Sequence, residues 1–248
     1  MNHRLLSILS RTGAGLALAL AAIAGWAQQA VDPPDRVAWL AYAQGAPSVA
    51  YAGSASWQPA EANRPLTSGD QITTLDGARA ELFSGSTALR LDGRTVLEFS
   101  RLDDAAIQLK LTEGSLALRI RTLFPDERYE VDTPNLAFVP NQPGDYRIDV
   151  DPARGLTRVS VLGGSGTAYG ENAESRTLVA GLQTSFGTRA LAQAGPQTTL
   201  ARDDFDAWVA SRDQGLEQSQ ATRFVSPEIT GYQQLDTYGD WGSDTTYG

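Results

Sequence analysis

The chain has 248 residues, of which 42% are hydrophobic and 20% charged, and it contains no cysteine. Length and composition suit one large or two modest folded domains and exclude a disordered polypeptide. A formal charge of −9 excludes the basic footprint that nucleic acid or anionic lipid requires, and the absent cysteines exclude disulfides.

Residues 1–27 stand apart. Arg4 and Arg11 give a positive start, Gly13 to Gly25 is almost wholly apolar, and Gly25-Trp26-Ala27 offers small residues where a signal peptidase needs them. This build predicts a secretory signal peptide whose apolar run is too short for a bilayer span. Cleavage starts the mature protein at Gln28, makes it periplasmic or secreted, and leaves no transmembrane segment. It also removes Met1 and His3, the only methionine and the only histidine. Net charge moves from −9 to −11, because the segment carries two arginines and no acid.

From Arg36 onward the sequence reads as short strands between turns. Alternation is clear in Ile107-Gln108-Leu109-Lys110-Leu111, in Leu116-Ala117-Leu118-Arg119-Ile120 and in Tyr146-Arg147-Ile148-Asp149-Val150. A period of two sends one set of side chains inward and the other outward. Gly69, Gly77, Gly85 and Gly93 recur every eight residues as turn signals. The pattern predicts an all-β sandwich, roll or barrel, with stacked coils of a small solenoid as the alternative. No helical pattern separates the strands, which excludes a doubly wound α/β fold. Gly164-Ser165-Gly166-Thr167-Ala168-Tyr169-Gly170 has the wrong spacing for a phosphate loop and reads as a hairpin.

After Pro196 the period changes. Phe205, Trp208, Val209, Leu216 and Phe224 share one side of a helix expected over 203–222, with Asp203 as N-cap. Gly215 weakens its middle by roughly 1 kcal/mol. The stripe is expected to dock on the β domain, since an exposed Phe and Trp stripe is an aggregation hazard. The organisation is therefore a signal peptide (1–27), a β domain (36–190), one helical extension (196–226) and a polar, aromatic tail (227–248) that reads as the start of a second module.

The mature chain would lack His, Cys and Met, so Ser-His-Asp, Cys-His and His/Cys zinc arrangements cannot form. No cofactor and no metal is expected, and no enzymatic activity. The one lysine, Lys110, should face solvent. Asp149 and Asp151 fall on one strand face with Arg147, the arrangement closest to a carboxylate pair; a solvated face is the expectation. Trp39, Tyr42 and Trp57 are expected to be packed. Tyr232, Tyr238 and Trp241 are candidates for a sugar-stacking or protein-docking face, or for a tail laid over the domain.

Two ordered motif sets run through the β region. The leading set is Trp57-Gln58-Pro59-Ala60, then Leu66-Thr67-Ser68-Gly69-Asp70-Gln71-Ile72-Thr73-Thr74, with Ala78, Ala80, Leu82 and Gly85-Ser86 following. The trailing set is Val131-Asp132-Thr133-Pro134, then Gly144-Asp145-Tyr146-Arg147-Ile148 and Val159-Ser160-Val161. Together they resemble the FecR domain, a bacterial periplasmic module, over roughly residues 37–170. The whole chain also resembles secreted proteins that continue into a tryptophan-rich region. The resemblance implies a role in signalling across the envelope. FecR-type regulators carry a cytoplasmic anti-sigma segment and a membrane helix before this domain, whereas a signal peptide stands there here. What carries over is a non-enzymatic binding or signalling-accessory role, with an envelope protein as partner. A cell-wall glycan-binding module is the alternative, and a carboxylate-dependent glycosidase is the weakest of the three.

Overall fold

The computed structural model describes residues 36–229, 231–242 and 245–246; the expected signal peptide lies outside them. The strands in chain order are β1 (Ala38–Gln44), β2 (Ser48–Ala50), β3 (Gln58–Pro59), β4 (Pro65–Leu66), β5 (Gln71–Thr74) and β6 (Arg79–Ser84). β7 (Thr87–Leu91), β8 (Thr95–Leu102), β9 (Ala106–Ile120), β10 (Arg128–Asp132), β11 (Ala137–Pro140) and β12 (Gly144–Asp151) follow. The last are β13 (Leu156–Val161), β14 (Ser165–Tyr169), β15 (Ser175–Val179), β16 (Leu182–Phe186) and β17 (Thr198–Thr199), before helices α1 (Asp204–Glu217) and α2 (Tyr232–Tyr238).

The strands sort into two sheets facing one apolar core. Sheet I runs β4-β1-β6-β7-β9-β12-β13-β16-β17, antiparallel throughout. Sheet II runs β3-β2-β5-β8-β9-β10-β11-β14-β15, with β9 and β10 parallel and the other pairs antiparallel. Alternation supplies the inner faces: Leu82, Leu89, Leu118, Ile148 and Val159 from sheet I meet Leu97, Phe99, Leu109, Val131 and Phe138 from sheet II. Phe138 and Tyr146 bring their ring centroids to 5.5 Å across the two layers. This all-β fold, with a C-terminal helix packed on it, is the one expected.

One strand belongs to both layers. The first half of β9 pairs with β8 and β10, and the second half with β7 and β12. The change occurs at Gly114, whose φ is +87°. A Cβ there would sit 2.4 Å from the Arg94 carbonyl oxygen, so only glycine passes this bend.

The glycines spaced eight apart also acquire a meaning. Gly77 lies where the chain crosses from β5 in sheet II to β6 in sheet I, Gly85 closes the β6–β7 hairpin, and Gly93 crosses back to β8. Two of these turns exchange sheets and the third, at Gly85, closes a hairpin, so the chain winds repeatedly between the two layers. The stretch Gly164 to Gly170 is corrected. β13 and β14 lie in different sheets, so it is a crossover followed by a strand. Gly166 is needed there because a Cβ would meet the Phe138 ring at 2.3 Å. Trp57, expected to pack, is instead 45% exposed and immediately precedes the two-residue β3.

Candidate functional site

The outer face of sheet I is built from rows of cross-strand neighbours. One row runs Tyr42, Glu81, Arg90, Ala117, Arg147, Ser160. The next runs Trp39, Phe83, Ala88, Arg119, Asp145. α1 lies over these rows. Its N-terminus is set by Asp203, whose side chain accepts from the Asp206 N–H while Asp206 accepts from the Asp203 N–H, a reciprocal capping box. The helix stops at Glu217, where the polar run Gln218-Ser219-Gln220 offers nothing to bury; it is shorter than the expected 203–222.

Docking is ionic as much as apolar. Arg147 donates to both oxygens of Asp203 (2.8 and 2.9 Å), to Asp206 (2.8 Å) and to Asp149 (2.9 Å). Arg119 reaches Asp213 at 2.7 Å and Glu217 at 2.8 Å. Arg90 and Glu81, 1% and 0% exposed, are joined at 2.7 Å. Arg212 of α1 closes on Glu81 at 2.5 Å and lies 4.6 Å from the centroid of the Tyr42 ring. Phe205 and Leu216 supply the buried apolar contacts of α1, and Trp208 stacks on Phe205 with centroids 5.9 Å apart. Burial tends to lower the proton affinity of Arg147 and Arg119, but their carboxylate partners outweigh it and hold both guanidinium groups charged. The Arg147 hydrogen bond in turn holds the Asp203 carboxyl far below its usual range.

These contacts locate the residues nominated from sequence. Asp149 and Asp151 do share a face, yet they do not form a pair. Asp149 accepts from Arg147 and from the Ser115 hydroxyl at 2.6 Å, whereas Asp151 leans to Arg154 at 3.6 Å. Both line an open cleft of about 480 Å³ with Glu113, Arg154 and Arg158. The solvated face expected around them is corrected at Arg147, which is 9% exposed beneath α1. Lys110 is exposed and stands 3.6 Å from Glu98.

The tail residues separate. Tyr232 is 1% exposed and belongs to the packed interior, so it cannot share a docking face with Tyr238, which is 83% exposed. Trp241 stacks on Phe224 with centroids 4.5 Å apart and donates to Asp236 at 2.6 Å. Asp236 also accepts from the Ser219 hydroxyl and from the Ala221 N–H. One carboxylate thus fastens the aromatic tail to the segment that follows α1. Phe224, expected on the helix stripe, lies beyond the helix and is 63% exposed.

A carboxylate pair, Glu130 and Asp132, sits on the outer face of sheet II. Gln108 donates to Glu130 at 2.9 Å and to Asp132 at 3.0 Å. Burial raises the Asp132 carboxyl above its usual range, against the Gln108 hydrogen bond. The signal was present: Glu130 and Asp132 alternate with Tyr129 and Val131 on β10. Among the described residues no cluster of three or more His, Cys, Asp or Glu side chains is placed to hold a metal ion, and no described helix is long and apolar enough to cross a membrane.

No protein-family model and no curated protein matches the sequence. Similar solved structures include two crystal structures of a candidate anti-sigma factor from Parabacteroides distasonis ATCC 8503, at 2.50 and 1.65 Å resolution. The first shares 14% identity over 56% of this chain and 63% of that one, with a TM-score of 0.47. The second shares 13% over 56% and 64%, with the same TM-score of 0.47. The present chain thus spans less than two thirds of either structure. A likeness at this level concerns the course of part of the backbone and carries no argument about binding. The FecR resemblance therefore rests on the motifs quoted from the sequence.

Proposed function

We propose that the chain is a signalling-accessory module of the bacterial cell envelope that acts by contact with another protein, without turnover and without a cofactor. One observation carries this reading: Arg90, Arg119 and Arg147 and the carboxylates facing them are bound to one another beneath α1, holding a helix in place. A face engaged in this way builds a rigid body whose remaining surface meets partners. The motif resemblance supports the direction, toward envelope signalling, and the signal-peptide pattern of residues 1–27 supports the compartment.

The glycan-binding alternative keeps one observation of its own. Tyr42, Arg212, Asp236 and the exposed Tyr238 border a cleft of about 390 Å³ between α1, α2 and sheet I. The test is cross-linking of the full chain in living bacteria, followed by mass spectrometry, alongside incubation with peptidoglycan fragments. One dominant envelope protein and unchanged fragments are expected. Retention of fragments that is lost in Tyr238→Ala would favour the glycan module. Fragment hydrolysis lost in Glu130→Gln/Asp132→Asn would make this an enzyme.

A further inference from the structure

A two-layer β sandwich has four sheet edges, and unpaired edges are templates for another strand. Three of the four are blunted here. Sheet I ends on one side at β1, which is covered by the two-residue β4 and bulged between Leu40 and Tyr42. On its other side the two-residue β17 and the segment around Gln193 cover β16. Sheet II begins at the two-residue β3, which contains Pro59. Short edges, bulges and proline are the usual protections. The fourth edge lacks all three, its one charged side chain being the exposed Arg176. β15 is five residues long, pairs with β14 in unbroken register, and has no strand on its outer side among the described residues.

The phase of its ladder follows from one bond. Gly170 donates its N–H to the Glu174 carbonyl at 2.9 Å. Alternation along an antiparallel pair then directs Arg176 and Leu178 toward β14 and turns the N–H and C=O of Ser175, Thr177 and Val179 outward. The Ser165 carbonyl, opposite Val179, agrees: it accepts from Asn141 on the β11 side. The side chains of Ser175, Thr177 and Val179 are exposed and uncharged. At the start of the strand Glu171 and Glu174 are exposed with no ion-pair partner among the described residues.

We propose that β15 is the interaction surface of this module, and that it adds to sheet II an extended segment of a partner protein. Backbone hydrogen bonds to Ser175, Thr177 and Val179 would supply affinity, in the manner of strand addition. Specificity would come from β-branched residues facing Thr177 and Val179 and a Lys or Arg facing the Glu171 and Glu174 corner. A second copy of the chain is the poorer occupant, since it brings another strongly negative body alongside, −9 for the full chain and −11 without residues 1–27. The inference rests on the protein-contact reading above and names the surface that performs it.

The test uses the full isotope-labelled chain and a capped heptapeptide, Lys-Thr-Val-Thr-Val-Thr-Lys, with a control in which both valines are proline. Saturable binding of the first peptide alone is expected, with amide shifts and slowed exchange at Ser175, Thr177 and Val179. Thr177→Pro deletes an outward N–H and no β14 bond, so it should melt as the native chain does and bind at least tenfold more weakly. Thr177→Lys, which keeps every backbone group, should weaken binding similarly at low salt; it stands in if the proline variant does not fold. Absent binding, or equal binding by a folded Thr177→Pro chain, overturns the proposal. A native dimer that Thr177→Pro dissociates overturns it in favour of self-pairing. A Thr177→Pro chain that still cross-links its envelope partner keeps the protein-contact function and loses this edge.

Discussion

Single positions separate packing from conformation. Gly166 and Gly155 both occur in the sheet region, but only Gly166 is crowded, by the Phe138 ring, while a Cβ on Gly155 meets nothing within 4 Å. Gly166→Ala should cost about 1–3 kcal/mol through overpacking. Gly155→Ala, strained only by its φ of +62°, should cost about 1 kcal/mol. Denaturant midpoints of the two variants check the difference. Charge is equally position-dependent. Glu81 is fully buried between Arg90 and Arg212, so Glu81→Ala leaves the buried Arg90 with Asp213 as its remaining partner and should cost about 3 kcal/mol. Lys110→Ala, at an exposed site, should stay within about 0.5 kcal/mol. The sequence could not rank these residues. Glu81 and Lys110 both read as polar positions on alternating strands. What separates them is a helix more than a hundred residues downstream of Glu81 that covers one sheet face and leaves the other bare.

At the scale of elements, α1 is held by carboxylates that titrate as well as by apolar contacts. Asp203 lies far below its ordinary range because Arg147 donates to it, so the folded chain resists its protonation more than the unfolded chain does. Its contribution is complete above the unfolded value near about pH 4 and is lost as pH falls further. Asp145 acts oppositely: burial raises it, so its charge opposes folding at neutral pH and its protonation relieves that cost. Asp149 and Asp206 also face Arg147, and Asp213 and Glu217 face Arg119. The expected outcome is that α1 loosens below about pH 4 while the sandwich persists, seen as Trp208 fluorescence changing before far-ultraviolet dichroism. Trp208 is half-buried, so Trp208→Ala should cost about 2 kcal/mol, less than full burial would imply. The helix and its cap were legible, because Asp203 and the apolar spacing are local signals. Its ionic seat was not. Arg147 and Asp203 are 56 residues apart, and nothing local joins them. That Asp149 and Asp151 share a strand face is a local, legible feature; that Arg147 and Ser115 hold one and Arg154 the other is not.

For the whole molecule, the strand pattern disclosed the class of fold but left sandwich and solenoid open, because both show the same period of two. The distinction lies in partners distant in sequence, such as β1 with β6 and β9 with β12. The passage of β9 through both sheets has a further consequence, for cooperativity. Two sheets with separate strands could melt one after the other; here each takes half of a single fifteen-residue strand, and the Gly114 bend is common to both. Amide exchange in the central strands of either sheet should therefore report the same opening free energy. Gly114→Ala, placed where φ is +87° and the Arg94 carbonyl lies 2.4 Å from the new Cβ, should lower that value equally in both sheets. Sequential loss of one sheet would mean that the shared strand can be released by one layer and retained by the other.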